Sequence, residues 1–108
     1  AGAIKNAGSF IKSSPFLVLN GDSFCRLDLR RFLQFHLGKE ALISIVLTKA
    51  IDGIDYGNVV LGESAQIITF GEKTNKCKNS FVNAGIYLFQ KEVLSAIPSN
   101  KYFSLERD

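Results

Sequence analysis

The heptapeptide Phe16–Asp22 constrains the fold of this chain more than any other segment. Its sequence is Phe-Leu-Val-Leu-Asn-Gly-Asp, in which four apolar residues run directly into a polar turn. An unbroken apolar run of this kind predicts a strand that is buried on both faces, as in a parallel sheet. Gly21 lets the backbone turn sharply, so Asp22 is expected at the carboxyl end of the strand. Ligands bind at this edge in open α/β sheets.

Asp22 is the first candidate for a metal ligand. A carboxylate at the end of a strand suits Mg²⁺, a hard cation that takes oxygen ligands and bridges to phosphate. The alternative is a polar turn that only closes the strand. Cys25 and Cys77 form no Cys-x-x-Cys pair and have no histidine at metal-ligand spacing. Neither a zinc site nor a disulfide framework is therefore expected.

Composition limits the classes of protein to consider. A length of 108 residues and a hydrophobic content of 46% predict a single domain, residues 1–108, with a real core. The 13 basic and 10 acidic residues are spread along the chain, and no basic block interleaved with aromatics predicts a nucleic-acid groove. No apolar stretch is long enough for a membrane span. We therefore expect a cytoplasmic protein with free thiols that binds neither nucleic acid nor membrane.

After a first helix, hydrophobic periodicity predicts the order strand, helix, strand, hairpin, strand, helix, which indicates an α/β layered domain. Helices are expected over Ala3–Lys12, Asp28–Gly38 and Lys91–Ile97, and Asp28 is expected to cap the second of them. Strands are expected over Phe16–Leu19, Ala41–Leu47 and Phe81–Phe89, with a hairpin formed by Asn58–Leu61 and Gln66–Phe70. Apolar residues at Phe32, Leu33, Phe35 and Leu37 provide the stripe of the second helix, where the neighbouring His36 receives no functional role.

Several further residues could bind a ligand, and each also has an ordinary structural interpretation. Glu72 could accept hydroxyl hydrogen bonds while Lys73 holds a phosphate, although a solvated charge pair is the simpler interpretation. Gly57 precedes a strand and would let a ligand approach the backbone closely. Asn83 lies in an apolar strand, so its amide pairs either with a ligand or with backbone. Glu106 either joins such a site or opens a helix.

The order of these segments resembles that of the sugar-1-phosphate nucleotidyltransferases, and the likeness covers essentially the whole chain. Its blocks are Ala1-Gly2-Ala3-Ile4, Leu19-Asn20-Gly21-Asp22, Tyr56-Gly57, Glu72-Lys73, Asn83-Ala84-Gly85-Ile86-Tyr87 and Ser104-Leu105-Glu106. Within the family, the chain looks most like the guanylyltransferases that act on D-glycero-D-manno-heptose 1-phosphate.

This resemblance implies a fold and a reaction. The fold would be a Rossmann-like three-layer sandwich with a mostly parallel sheet. The enzyme would join a nucleoside triphosphate, GTP in the closest likeness, to a sugar 1-phosphate, with Mg²⁺ as cofactor. The products would be pyrophosphate and a nucleotide sugar of the kind used for cell-surface polysaccharide. Mannose 1-phosphate, glucose 1-phosphate with another nucleotide, and a non-catalytic sugar-nucleotide-binding module remain alternatives. Assembly into a homo-oligomer is left open.

The resemblance also implies residue roles. Asp22 matches the metal-binding aspartate, and Lys73 matches the lysine on the phosphate, so both are expected to be catalytic. The remaining matches are expected to bind substrate: Gly2 and Ala3 beside the base, and Gly57, Glu72, Asn83 and Glu106 at the sugar.

The chain departs from the family pattern at two places. The glycine-rich phosphate loop and the second metal-binding aspartate have no counterpart here. We therefore expect the middle portion of a longer enzyme, inactive by itself, in which the first strand and the phosphate loop are absent. The strand through Val18 would then lack one neighbour and expose backbone groups.

Overall fold

The chain contains both helices and strands, as predicted for an α/β domain. The computed structural model describes residues 1–50, 58–71, 81–99 and 102–105. Within these ranges the helices are α1 (Gly2–Asn6), α2 (Leu29–Gly38) and α3 (Val93–Ala96). The strands are β1 (Phe16–Leu19), β2 (Ile43–Lys49), β3 (Asn58–Leu61), β4 (Ile67–Gly71) and β5 (Phe81–Phe89). Short 3-10 helices span Ala7–Phe10 and Glu63–Ala65, so the predicted first helix divides into two pieces.

The sheet is organised around β5. The strand order is β1-β5-β3-β4, and β2 also pairs with β5. The β1–β5 pair is antiparallel, with a register from Phe16 opposite Phe89 to Leu19 opposite Ile86. The β3–β4 and β3–β5 pairs are antiparallel as well. The expected mostly parallel sheet must be corrected for these pairs, because an apolar run does not determine the direction of the neighbouring strand.

Strand β1 has the position that was expected, but its burial differs from the prediction. It ends the strand order, and β5 is its partner in the part of the chain that the structure describes. Phe16 is buried, whereas Leu17 and Leu19 are 40% and 59% exposed. Alternate side chains point to opposite faces of a strand, so the face that carries Leu17 and Leu19 is largely uncovered. The prediction of a strand buried on both faces is therefore wrong for β1.

The contacts divide the chain into two compact units. The first contains Ala1–Ile45 with Gly85–Asp108, and the second contains Val46–Ala84. The core of the first unit is formed by Phe16, Tyr87, Phe89, Val93 and Ile97. The rings of Phe16 and Phe89 meet edge to face with their centroids 5.7 Å apart. The second unit contains the β3–β4 hairpin, with Val59 buried. The single domain predicted for residues 1–108 stays a prediction.

Helix α2 begins where the sequence predicts, at a cap formed by Asp28. The Asp28 carboxylate accepts hydrogen bonds from the backbone N–H groups of Arg30 and Arg31, both at 3.1 Å. These bonds satisfy donors that the first helical turn leaves unpaired. With 10 residues, α2 is far too short to cross a bilayer. No helix in the described ranges is long and apolar enough to span a membrane.

The buried face of α2 differs from the predicted stripe. Phe32 and His36, four positions apart, are the buried residues of this helix. Leu33, Phe35 and Leu37 are 39%, 44% and 52% exposed, so only Phe32 of the predicted stripe is in the core. Residues four apart lie on one face of a helix, and here a histidine occupies the second buried position.

The ring of His36 is fully buried and is hydrogen-bonded on both nitrogens. Its Nδ1 lies 2.8 Å from Ser44 Oγ, and its Nε2 lies 3.2 Å from Gln90 Nε2. Gln90 Oε1 accepts a hydrogen bond from Ser14 Oγ at 2.8 Å, which orients the amide with its NH₂ toward His36. His36 Nε2 is therefore an acceptor, and the neutral ring donates from Nδ1 to Ser44. Burial lowers the pKa of His36 below its ordinary value of 6.5.

Candidate functional site

Asp22 lies directly beyond the end of β1, as the sequence predicts. The backbone N–H of Asn20 donates to the carbonyl of Gly85 at 2.8 Å, which extends the β1–β5 pairing by one residue. The chain then turns at Gly21 and Asp22. The Asp22 side chain is exposed, and its Oδ1 accepts a hydrogen bond from Ser23 Oγ at 3.2 Å. The carboxylate is therefore accessible to a ligand that approaches from solvent.

The chemistry of Asp22 fits a magnesium ion that is shared with a substrate. Mg²⁺ is commonly held by one or two carboxylates together with substrate phosphates and water, and not by a cage of protein ligands. Among the described residues, no group of three or more His, Cys, Asp or Glu side chains could enclose a metal. One exposed carboxylate suits the shared arrangement, because water and phosphate oxygens can complete the coordination.

Gly85 is a residue of this region that sequence analysis did not single out by itself. Its φ of +72° lies in the left-handed region. A Cβ at this position would stand 2.6 Å from Asn20 Nδ2 and 2.9 Å from Asn20 Cβ. Glycine is thus required both by the backbone and by the close approach of Asn20. The available signal was the Asn-Ala-Gly interruption of an otherwise apolar strand.

The expected role of Gly21 needs correction in the same context. The described glycine with a left-handed φ is Gly85, and a Cβ built on Gly21 would meet nothing within 4 Å. The turn before Asp22 therefore does not depend on glycine at position 21 for backbone freedom. The residue before this turn, Asn20, is hydrogen-bonded to β5 through its backbone N–H.

Gly2 and Ala3 open α1, and both are exposed. A Cβ on Gly2 would meet nothing within 4 Å, so the backbone there is open to close approach. The backbone nitrogen of Ala1 donates to the carbonyl of Phe103 at 2.9 Å, which joins the start of α1 to the segment that follows α3. The structure thus places Gly2, Ala3 and Asp22 in the same unit.

Asn83 is half-buried in β5 and belongs to the second unit, Val46–Ala84. Four of the predicted site residues lie outside the described ranges, namely Gly57, Glu72, Lys73 and Glu106. Their roles stay predictions.

Comparison with known proteins identifies relatives along the whole length of this chain. The family model described as nucleotidyl transferase matches residues 1–107. A mannose-1-phosphate guanylyltransferase of Mycobacterium tuberculosis is 31% identical over 107 residues, which cover 99% of this chain and 30% of that protein. The D-glycero-alpha-D-manno-heptose 1-phosphate guanylyltransferase of Campylobacter jejuni is 35% identical over 105 residues, covering 97% of this chain and 45% of that protein.

Solved structures of HddC from Yersinia pseudotuberculosis have the same fold as this chain. One matches with a TM-score of 0.84 and 32% sequence identity. A second, complexed with GMP-PN, matches with a TM-score of 0.80 and 31% sequence identity. Each match covers 99% of this chain and 46% of the HddC chain. The chain thus spans less than half the length of these relatives. The likeness confirms the nucleotidyltransferase fold class that the resemblance implied.

Proposed function

This chain belongs to the nucleotidyl transferase family, and we propose that its protein transfers a guanylyl group from GTP to D-glycero-D-manno-heptose 1-phosphate. The observation that carries the proposal is the exposed Asp22 carboxylate at the end of β1, anchored to β5 through Asn20 and Gly85. An accessible carboxylate at this edge is suited to hold a metal that contacts phosphate.

The choice of nucleotide and sugar is supported by the relatives. The Campylobacter relative acts on a heptose 1-phosphate as a guanylyltransferase, and the HddC structure complexed with GMP-PN contains a guanine nucleotide analogue. Mannose 1-phosphate is a second candidate, because the Mycobacterium relative that matches 99% of this chain is a mannose-1-phosphate guanylyltransferase.

In the proposed reaction, an oxygen of the sugar phosphate attacks the α-phosphorus of the triphosphate. A new P–O bond forms as the bond between the α-phosphorus and the bridging oxygen breaks, and pyrophosphate leaves. Mg²⁺ supplies charge neutralisation when it is bound, and Asp22 would hold it. Lys73 is proposed to hold a phosphate and Glu72 to accept hydrogen bonds from sugar hydroxyls. Catalysis of this kind depends on positioning and electrostatics and needs no covalent intermediate.

The direct test is pyrophosphate release by the polypeptide that the complete gene encodes. GTP and Mg²⁺ are supplied with heptose 1-phosphate, mannose 1-phosphate or glucose 1-phosphate in parallel. We expect the highest kcat/KM with heptose 1-phosphate. A higher value with mannose 1-phosphate would establish the second candidate, and no turnover with any of the three sugars would refute the proposed reaction.

Substitution of Asp22 distinguishes an enzyme from a binding module. Asp22→Asn should lower turnover about 100-fold or more while sugar-phosphate binding changes little, since an amide is a poor ligand for Mg²⁺. Asp28→Asn is the matched control, because asparagine also caps a helix well and Asp28 lies outside the site. Equal turnover in Asp22→Asn and Asp28→Asn would exclude a metal role for Asp22.

A further inference from the structure

Gly85 lies within β5, between two residues whose side chains are buried. Ala84 and Ile86, on either side, are 8% and 7% exposed. Between them the backbone of Gly85 adopts a φ of +72°, which side-chain-bearing residues rarely adopt. Glycine lacks the Cβ that disfavours this region, so Gly85 adopts the conformation at little cost, whereas another residue at this position would be strained.

Asn20 occupies the space that this glycine leaves open. A Cβ on Gly85 would stand 2.6, 2.8 and 2.9 Å from Nδ2, Cγ and Cβ of Asn20. The backbone N–H of Asn20 donates to the carbonyl of the same glycine at 2.8 Å. The side chain and the backbone of Asn20 are thus both seated on one residue of β5, and we call this contact the Asn20–Gly85 seat.

We propose that Asn20 is a positioning residue for Asp22, because its side chain, seated on Gly85, holds the turn that presents the carboxylate. The inference rests on the proposed function, in which Asp22 binds the metal. Asn20 is the last residue before Asp22 that pairs with β5, since the chain turns at Gly21. The Asp22 carboxylate itself has one hydrogen bond within the described ranges, from the adjacent Ser23. Its position therefore depends on the backbone anchor two residues earlier.

The seat predicts a defined consequence of truncating Asn20. Alanine keeps the backbone hydrogen bond but removes Nδ2 and Cγ, which are the two Asn20 atoms nearest to the position that a Cβ on Gly85 would take. The turn should then move more freely, and Asp22 should spend less time in the position that binds metal. Residues that orient a metal ligand typically change metal affinity or activity 10- to 100-fold, so we expect an effect of about tenfold.

The experiment compares wild type, Asn20→Ala, Asn20→Leu and Gly38→Ala in the polypeptide of the complete gene. Asn20→Ala should raise the Mg²⁺ concentration for half-maximal rate about tenfold and change the KM for sugar phosphate by less than about twofold. Asn20→Leu retains the shape of the side chain without its amide, so it should remain within about threefold of wild type. Gly38→Ala is the control, since a Cβ at Gly38 meets nothing within 4 Å.

A second readout is independent of turnover. Backbone NMR order parameters of Gly21 and Asp22, measured without metal or nucleotide, should fall in Asn20→Ala from about 0.85 toward about 0.6 and stay high in Asn20→Leu. Thermal unfolding of the same variants separates a local effect from loss of the fold. Asn20→Ala should keep the wild-type midpoint to within about 3 °C.

Three results would overturn the inference. Unchanged Mg²⁺ dependence and order parameters in Asn20→Ala would show that the seat does not position Asp22. A parallel rise in every KM with a lowered unfolding midpoint would indicate a structural role only. Loss of turnover in Asn20→Leu with high order parameters would show that the amide itself contacts a ligand. If wild type and Gly38→Ala both fail to turn over, the proposed function falls, and this inference falls with it.

Discussion

Strands β1 and β5 are paired with each other, and both are apolar in sequence, yet their burial differs. From Ile86 to Phe89, consecutive residues of β5 are each 7% exposed or less, so both faces of that stretch are covered. In β1, Phe16 is 7% exposed while Leu19 is 59% exposed. Leu19 lies on the same face of the sheet as its partner Ile86. On this face Ile86 of β5 is covered by other residues, whereas Leu19 of β1 is not.

This difference shows that an apolar run predicts a strand more reliably than it predicts burial. Burial depends on what lies against each face and beside each edge of a strand. Among the described strands, β5 pairs with three others, whereas β1 pairs with β5 alone. The less buried strand is also the one that leads to the candidate metal ligand Asp22. Substitutions in and around the two strands test this contrast.

Phe89→Ala should have the largest effect. Phe89 is fully buried and packs against the rings of Phe16 and Tyr87, with centroids 5.7 and 5.8 Å away. Removing such a side chain leaves a cavity, so we expect a loss of about 3–5 kcal/mol in the free energy of unfolding. Urea unfolding followed by circular dichroism measures it. A loss below about 1 kcal/mol would mean that this region is not the core.

Gly85→Ala should destabilise the protein by about 2–4 kcal/mol. The new Cβ both disfavours the left-handed φ and overlaps the side chain of Asn20. Gly38→Ala is the matched control, because it adds the same methyl group at the end of α2 into open space. Equal stability of the two variants in urea unfolding would contradict the left-handed geometry of β5.

The buried His36, which lies beside the end of β5, should make the free energy of unfolding depend on pH. The buried ring is neutral, and its folded pKa is below the ordinary 6.5, so the unfolded chain binds a proton first as the pH falls. The contribution of neutral His36 to the free energy of unfolding is therefore fully present well above pH 6.5. It is lost as the pH falls through 6.5 toward the lower folded pKa, with a slope of at most about 1.4 kcal/mol per pH unit.

Urea unfolding between pH 8 and 5 measures this slope, with His36→Gln as the control. Glutamine does not titrate, so the variant should be less stable at pH 8 but should lack the slope near pH 6. A slope that persists in His36→Gln would assign the pH dependence to another group.

Leu19→Ser in β1 should have the smallest effect. The side chain is 59% exposed, so its loss should change the free energy of unfolding by about 0.5 kcal/mol or less. The substitution acts mainly by changing the strand propensity of this position. A loss comparable to that of Phe89→Ala would show that the Leu19 face is covered in solution and would remove the contrast between the strands.

The position of Asp22 could be predicted from residues that are near one another in sequence, whereas the roles of the other candidate site residues stay predictions. The apolar run followed by Asn-Gly-Asp correctly places Asp22 beyond the end of a strand, and Asp28 correctly caps α2. The importance of Gly85 could not be predicted in this way. Its constraint arises from Asn20, which is distant in sequence and meets it only through the β1–β5 pairing.

The amino-acid sequence alone predicts the succession of helices and strands, the helix cap and the order of blocks that marks the family. These depend on short-range periodicity and on local hydrogen bonds. The tertiary structure was needed to show that β5 is buried on both faces whereas β1 buries Phe16 and exposes Leu19, that position 85 needs glycine, and that His36 is a neutral core residue. Each of these depends on groups far apart in the chain, such as Gln90 beside His36, because burial and polar pairing are set by which segments meet in space.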